Sequence, residues 1–199
     1  MIYTYVDGTV DGLLLTPSPA TVATVETADT EDLGETTMTT AQDSTTRELS
    51  ELLSIKKIER VLFDYAYYLD MNLPDDLAAL FTEDCYVAYG PNFGAEGRKA
   101  YRETLDGIGT FFSATSHHVS NVVVDFTDDL RSAKVRSVLY AWHRYTKEGK
   151  ADGHFFGQYH DEFVFDDASG WRFTRRELRA SGVVDFHVKK QIPIGRASA

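Results

Sequence analysis

Residues 55–89, IKKIERVLFDYAYYLDMNLPDDLAALFTEDCYVAY, carry the pattern on which the fold turns. Ile55, Ile58, Val61, Leu62, Tyr65 and Leu69 recur at helical spacing, so one stripe of an amphipathic helix faces a core. Asp70 stands at the edge of that stripe, just where Asn72 and Pro74 break the helix. A carboxylate at a breaking helix end can turn inward, where it is costly unless something pairs with it. The partners that would also do chemistry are histidines, and the best placed is His117. Pro74, Asp75 and Asp76 read as the first turn of a second helix, since proline loses nothing there and carboxylates suit the positive end of the dipole. That helix should bury Leu77, Leu80 and Phe81, and Cys85–Tyr89 should form a short strand.

Upstream, the composition changes. Residues 1–50 hold nine acidic side chains against Arg47 alone, a charge of −8, so only −3 of the total −11 belongs to the remainder. Residues 1–45 are rich in Thr, Ala, Asp and Glu without sustained period, and are expected to be a disordered leader. The leader reads as a partner-binding tail or as an extension ahead of a chain that opens at Met38. The first helix should run from about Thr46 to Leu69. Neither part has the basic surface that binding nucleic acid requires. No stretch has the length of a membrane span, and the single cysteine, Cys85, excludes an internal disulfide. A cytoplasmic protein is expected.

Downstream, Gly90, Gly94 and Gly97 suggest a loop, followed by a third helix over Arg98–Phe112 with Tyr101, Leu105 and Ile108 inward. From Thr115 the period changes to two. Strands are expected at about 115–126, 133–146, 153–165 and 171–182, joined through Asp128-Asp129, Lys147–Gly149 and Asp166–Gly170. Helices followed by an antiparallel meander define an α+β domain, taken as 46–185, with a tail from 186 to 199.

On the first long strand Thr115, His117, Val119, Asn121 and Val123 share one face, while His118 lies on the other. Only one of the adjacent histidines can meet Asp70; Val122 and Val124 leave open which face is inner. On the next strand Val135, Leu139, Ala141 and His143 lie together, making His143 a second inward imidazole. A carboxylate that holds one imidazole nitrogen fixes the tautomer and leaves the other nitrogen free as a base.

The helix ending in Asp70, the run Thr115-Ser116-His117-His118-Val119-Ser120-Asn121 and the four-strand finish resemble the SnoaL-like branch of the nuclear transport factor two-like superfamily, over roughly residues 48–182. That resemblance implies a cone: three N-terminal helices packed on a strongly curved, mainly antiparallel sheet around a deep apolar pocket. The pattern is most similar to the family's dehydratases. An aspartate ends the first helix, a tyrosine follows nineteen residues later, and histidines lie on successive strands, matched by Asp70, Tyr89, His117 and His143. Tyr65, five residues before the aspartate, matches a tyrosine of the bile acid dehydratases. The chain departs from scytalone dehydratases at Leu69, where they carry tyrosine, and at Tyr159, where they carry asparagine.

By this resemblance the chain is a cofactor-independent dehydratase of a hydroxylated cyclic ketone or a related polycyclic compound. Asp70 would orient His117 as the base, while Tyr65, Tyr89 and His143 would polarise the carbonyl or assist the leaving group. Phe112, Asn121, Trp142 and Tyr159 are candidates for lining the substrate pocket. The partners implied are a small hydrophobic substrate and further copies of the chain, as trimer or dimer. The rival activities are an isomerase or cyclase, and a non-catalytic small subunit or binding protein. A metal reading rests on His160 and Glu162 with His154 or His187 as a third ligand; that spacing is common by chance, and no metal is assigned.

Overall fold

In a computed structural model, residues 33–91, 93–187 and 190–195 are described, with the side chains of 33–41 excepted. The chain divides into Met1–Ala41 and Gln42–Ala199, and the packing below is that of the second unit. Helix α1 runs Leu33–Asp70, beginning earlier than the expected Thr46; the rest of the expected leader lies outside the described residues. Ile58, Leu62 and Tyr65 of its apolar stripe are buried. The helix stops in a Schellman motif: Leu73 N–H bonds the Tyr68 carbonyl at 2.8 Å and Asn72 N–H the Leu69 carbonyl at 3.2 Å. Asn72 takes the left-handed conformation this requires, with φ 53°. Asparagine is the residue other than glycine that tolerates it best.

Helix α2 (Pro74–Ala79) follows, with Leu77 and Ala78 buried. Phe81 does not belong to it but opens strand β1 (Phe81–Gly90), which starts before the expected Cys85. The expected glycine loop contains a strand, β2 (Phe93–Glu96), antiparallel to β1. Gly94 is there for close approach: a Cβ would overlap the Val87 carbonyl oxygen. The third helix is two pieces, α3 (Arg98–Leu105) and α4 (Ile108–Phe111). Tyr101 and Leu105 are buried as expected, whereas Phe112 opens strand β3.

β3 (Phe112–Phe126), β4 (Ser132–Tyr145), β5 (Gly153–Asp166) and β6 (Gly170–Val184) form the antiparallel meander. The sheet order is β2-β1-β6-β5-β4-β3, with β1 parallel to β6. Within 186–199, expected from sequence to be a tail, β7 (Ile192–Pro193) pairs parallel with β6 at Arg179 and Ala180. The result is helices against a curled, mostly antiparallel sheet, with Leu77, Phe81, Leu139, Phe155 and Phe173 among its core residues. Among the described residues no helix is long and apolar enough to cross a membrane.

Two irregularities in the ladders decide which side chains face inward. Pairing of β3 with β4 slips between Ser120 and Val123. The extra residue reverses the alternation, so Val119 packs inward before the slip and Val122, Val124 and Phe126 after it. Pairing of β5 with β6 slips between Glu162 and Phe163, leaving Thr174 as the extra residue. Phe173 and Arg176 consequently both point into the core.

Candidate active site

Asp70 is the last residue of α1, at the negative end of the helix dipole, an unfavourable place for a carboxylate without donors. Strand β3 supplies three. Thr115 Oγ1 donates to Oδ1 at 2.8 Å, the His117 backbone N–H donates to Oδ2 at 2.9 Å, and His117 Nδ1 lies 2.6 Å from Oδ1. Burial by itself would raise the Asp70 carboxyl, but the His117 ring and N–H, with Thr115, hold it below the ordinary carboxylate range. The His117 side chain is 6% exposed. With Nδ1 facing a carboxylate, its proton belongs there, and Nε2 is the basic nitrogen.

His117 lines a cavity of about 300 Å³ between the helices and the sheet. His143, Tyr65, Tyr89, Tyr159 and Phe112 line it too. His143 meets the His117 ring edge to face at 5.2 Å, and is capped by Phe112 at 4.7 Å and Phe186 at 5.0 Å. Its Nδ1 is buried without a well-formed hydrogen bond. Burial, then the neighbouring His117 and His187 rings, push its imidazole down to about 3. His143 is therefore neutral at ordinary pH, able to donate an N–H but ill suited to deliver a proton as imidazolium.

Three tyrosine hydroxyls cluster at and behind the cavity wall. Tyr65 OH and Tyr89 OH are 2.7 Å apart, and Tyr89 OH and Tyr101 OH 2.9 Å. Burial raises the Tyr89 and Tyr101 phenols well above their usual value, so both remain protonated donors. The rest of the wall is mainly aromatic and aliphatic, and among the described lining residues none is Asp, Glu, Lys or Arg.

Two anticipated lining residues are elsewhere. Trp142 alternates with inward His143 and so lies on the opposite face, where its Nε1 donates to Asp152 at 3.0 Å. Asn121 is exposed, with φ 49°, at the slip in β3 that carries it out of the cavity wall. The residues considered for a metal are not brought together. His160 Nε2 pairs with Gln158 at 3.1 Å in a charged outer groove with Glu162, His154 Nδ1 lies 3.0 Å from Tyr140 OH, and His187 lines the cavity.

Several residues at the site were not anticipated from sequence. Phe186, His187 and Gln191 reach the cavity from the segment after β6. Tyr101, expected only to face the core, also brings its hydroxyl to that of Tyr89. Beneath the cavity floor Arg176 and Asp161, both fully buried, form a bidentate pair at 2.9 and 2.7 Å. The Arg176 guanidinium is sandwiched between the Tyr65 and Tyr159 rings at 3.9 and 3.8 Å. No local sequence signal marks this pair; alternating polar and apolar residues in β6 suggest an outward arginine.

Helices packed against a curled, mostly antiparallel sheet define the α+β class described as nuclear transport factor two-like with a cystatin-like fold, and here the imidazole of the Asp70–His117 pair lines the apolar cavity. Within that class the chain belongs to the SnoaL-like domain family, whose description matches residues 50–177. It is similar to the "putative scytalone dehydratase" of Novosphingobium aromaticivorans, at 56% identity over 74% of this chain and 97% of that one, with a TM-score of 0.71. A hexachlorocyclohexane dehydrochlorinase from Novosphingobium barchaimii shares the fold at 15% identity and a TM-score of 0.62, over 74% of this chain and 99% of that one. A nuclear transport factor two-like protein of Novosphingobium aromaticivorans does so at 20% identity and a TM-score of 0.60, over 77% and 92%. No curated protein matches the chain.

Proposed function

We propose that the chain is a cofactor-independent dehydratase that eliminates water from a neutral, hydroxylated cyclic ketone. The observation that carries this reading is the 2.6 Å contact between Asp70 and His117 Nδ1 at the wall of an apolar cavity. The name of the 56% identical protein points the same way. The lack of charged side chains in the described wall favours a substrate without carboxylate or phosphate.

His117 Nε2 takes a proton from the carbon next to the carbonyl, and Asp70 stabilises the imidazolium that forms. The electron pair moves to the carbonyl oxygen, where the Tyr65 and Tyr89 hydroxyls face the developing charge, a contribution on the order of 3 kcal/mol. As the pair returns, the double bond forms, the carbon–oxygen bond breaks, and His117 returns its proton to the departing hydroxide as water. His143, being neutral, orients the leaving group with an N–H rather than protonating it. By the family resemblance the working protein is a trimer or dimer, which sedimentation velocity reads directly.

The test is to incubate the protein with a panel of hydroxytetralones and follow product mass. Loss of one water, slowed about a hundredfold or more in H117A, is the expected result. A product of unchanged mass would make the protein an isomerase or cyclase, and binding without turnover would make it a carrier or subunit.

A further inference from the structure

Past Val184, where β6 ends, the chain turns over the cavity. Asp185 takes the left-handed conformation, with φ 49°, and Phe186 and His187 reach the wall. A residue other than glycine keeps that conformation because its surroundings hold it there. Here the holder is Tyr145, the last residue of β4. Its hydroxyl donates to the Asp185 carbonyl at 3.1 Å, lies 3.5 Å from His187 Nδ1, and meets the His187 backbone as well. The chain is thus fastened on both sides of Phe186. Gly153 permits the approach, since a Cβ there would come within 2.9 Å of the Tyr145 hydroxyl and 3.2 Å of the Asp185 carbonyl oxygen. Phe186, so held, packs on Phe155 at 5.4 Å and edge-on against His143 at 5.0 Å.

We infer that Tyr145 is a positioning residue whose hydroxyl fastens this strap, so that Phe186 seals the His143 imidazole from water. Tyr145 is not among the described residues that line the cavity, and it acts through Phe186. Its ring is held independently, by Phe112 at 5.2 Å and by Lys150 Nζ 3.4 Å from its centre, so the hydroxyl alone carries the fastening. A dry imidazole stays uncharged, because burial penalises the imidazolium. The groups whose charge acts on His143 are His117 on β3, His187 on the strap and, in the opposite sense, Asp70 at the end of α1; Lys150 acts on His187. That the seal serves a reaction rests on the reading of the cavity as the substrate site, but the seal itself does not.

The experiment follows deuterium uptake at the imidazole C2 carbon of each histidine in the full-length, ligand-free protein at neutral pH, read by mass spectrometry. In the wild type His143 should exchange far more slowly than His118, which is exposed on the outer face of β3. Y145F keeps the ring and removes the clasp. It should speed His143 exchange about tenfold, the increase in opening that one lost hydrogen bond allows. F186A removes the seal itself and should speed it further, and Y145F/F186A should match F186A, because Tyr145 acts only through Phe186. His118 should exchange alike in all four proteins. Wild-type His143 exchange as fast as that of His118, an unchanged rate in Y145F, a double variant faster than F186A, or a parallel rise at His118 would each overturn the inference. No substrate enters these measurements, so a protein that dehydrates none of the hydroxytetralones would overturn the proposed activity and leave the Tyr145 clasp standing.

Discussion

His117 grips Asp70 at both carboxylate oxygens, through its ring at Oδ1 and its own backbone N–H at Oδ2. The strand that carries the imidazole thus also fixes the carboxylate that orients it, and Thr115 adds a third donor from the same strand. The position of the pair is set by where α1 stops and where β3 runs, with little left to side-chain rotation.

Replacing Asp70 with asparagine tests that arrangement. D70N keeps the shape but presents an amide donor to groups that are themselves donors. Turnover should fall about a hundredfold or more while circular dichroism stays native. Because the Asp70 carboxyl is held below its ordinary value, its stabilising contribution is complete above that value and is lost as pH falls through the lower, folded one. The variant should therefore lose the acid-side part of the wild-type stability profile, read by urea unfolding across the pH range.

His143 weakens acid stability in the same direction, over a higher pH window. Its folded imidazole is pushed down to about 3, whereas an unfolded histidine takes up a proton near its ordinary value of 6.5. Between these two values the unfolded chain binds more protons, so stability falls as pH falls. Wild type should lose about 2 kcal/mol on going from about pH 7 to about pH 5 through this group. H143F should show a flatter profile over that window in urea titrations.

The Arg176–Asp161 pair should be costly to halve. R176M leaves a fully buried carboxylate without its partner and should destabilise by about 3 to 5 kcal/mol in denaturant unfolding. R176M/D161L, which removes both charges, should recover most of that loss. Equal costs in the single and double variants would mean that the sandwich with Tyr65 and Tyr159, rather than the ion pair, holds the region together.

Asn72 should be replaceable by glycine but not by a residue with a Cβ and no tolerance for positive φ. N72G should leave the melting temperature near that of wild type. N72V should cost about 1 kcal/mol or more, because a β-branched side chain clashes in the left-handed conformation that ends α1. Activity should fall alongside stability in N72V, since the same turn places Asp70.

What the chain determined locally is what short-range periodicity can encode. The stripe of Ile58, Leu62 and Tyr65, the break after Asp70 and the alternation that turns His143 inward were all readable, whereas alternation alone did not choose between His117 and His118. The same alternation, applied strictly, turns Trp142 outward, as is found. Tertiary structure decided the rest, because a strand's inward face depends on its partner's register as well as on its own residues. One extra residue near Asn121 reverses β3, and another at Thr174 turns Arg176 into the core opposite Asp161. Gly94 became part of a strand because the Val87 carbonyl approaches it, a contact no local pattern announces. Tyr101 looked like a core aromatic until α3 was laid against β1 and its hydroxyl met that of Tyr89.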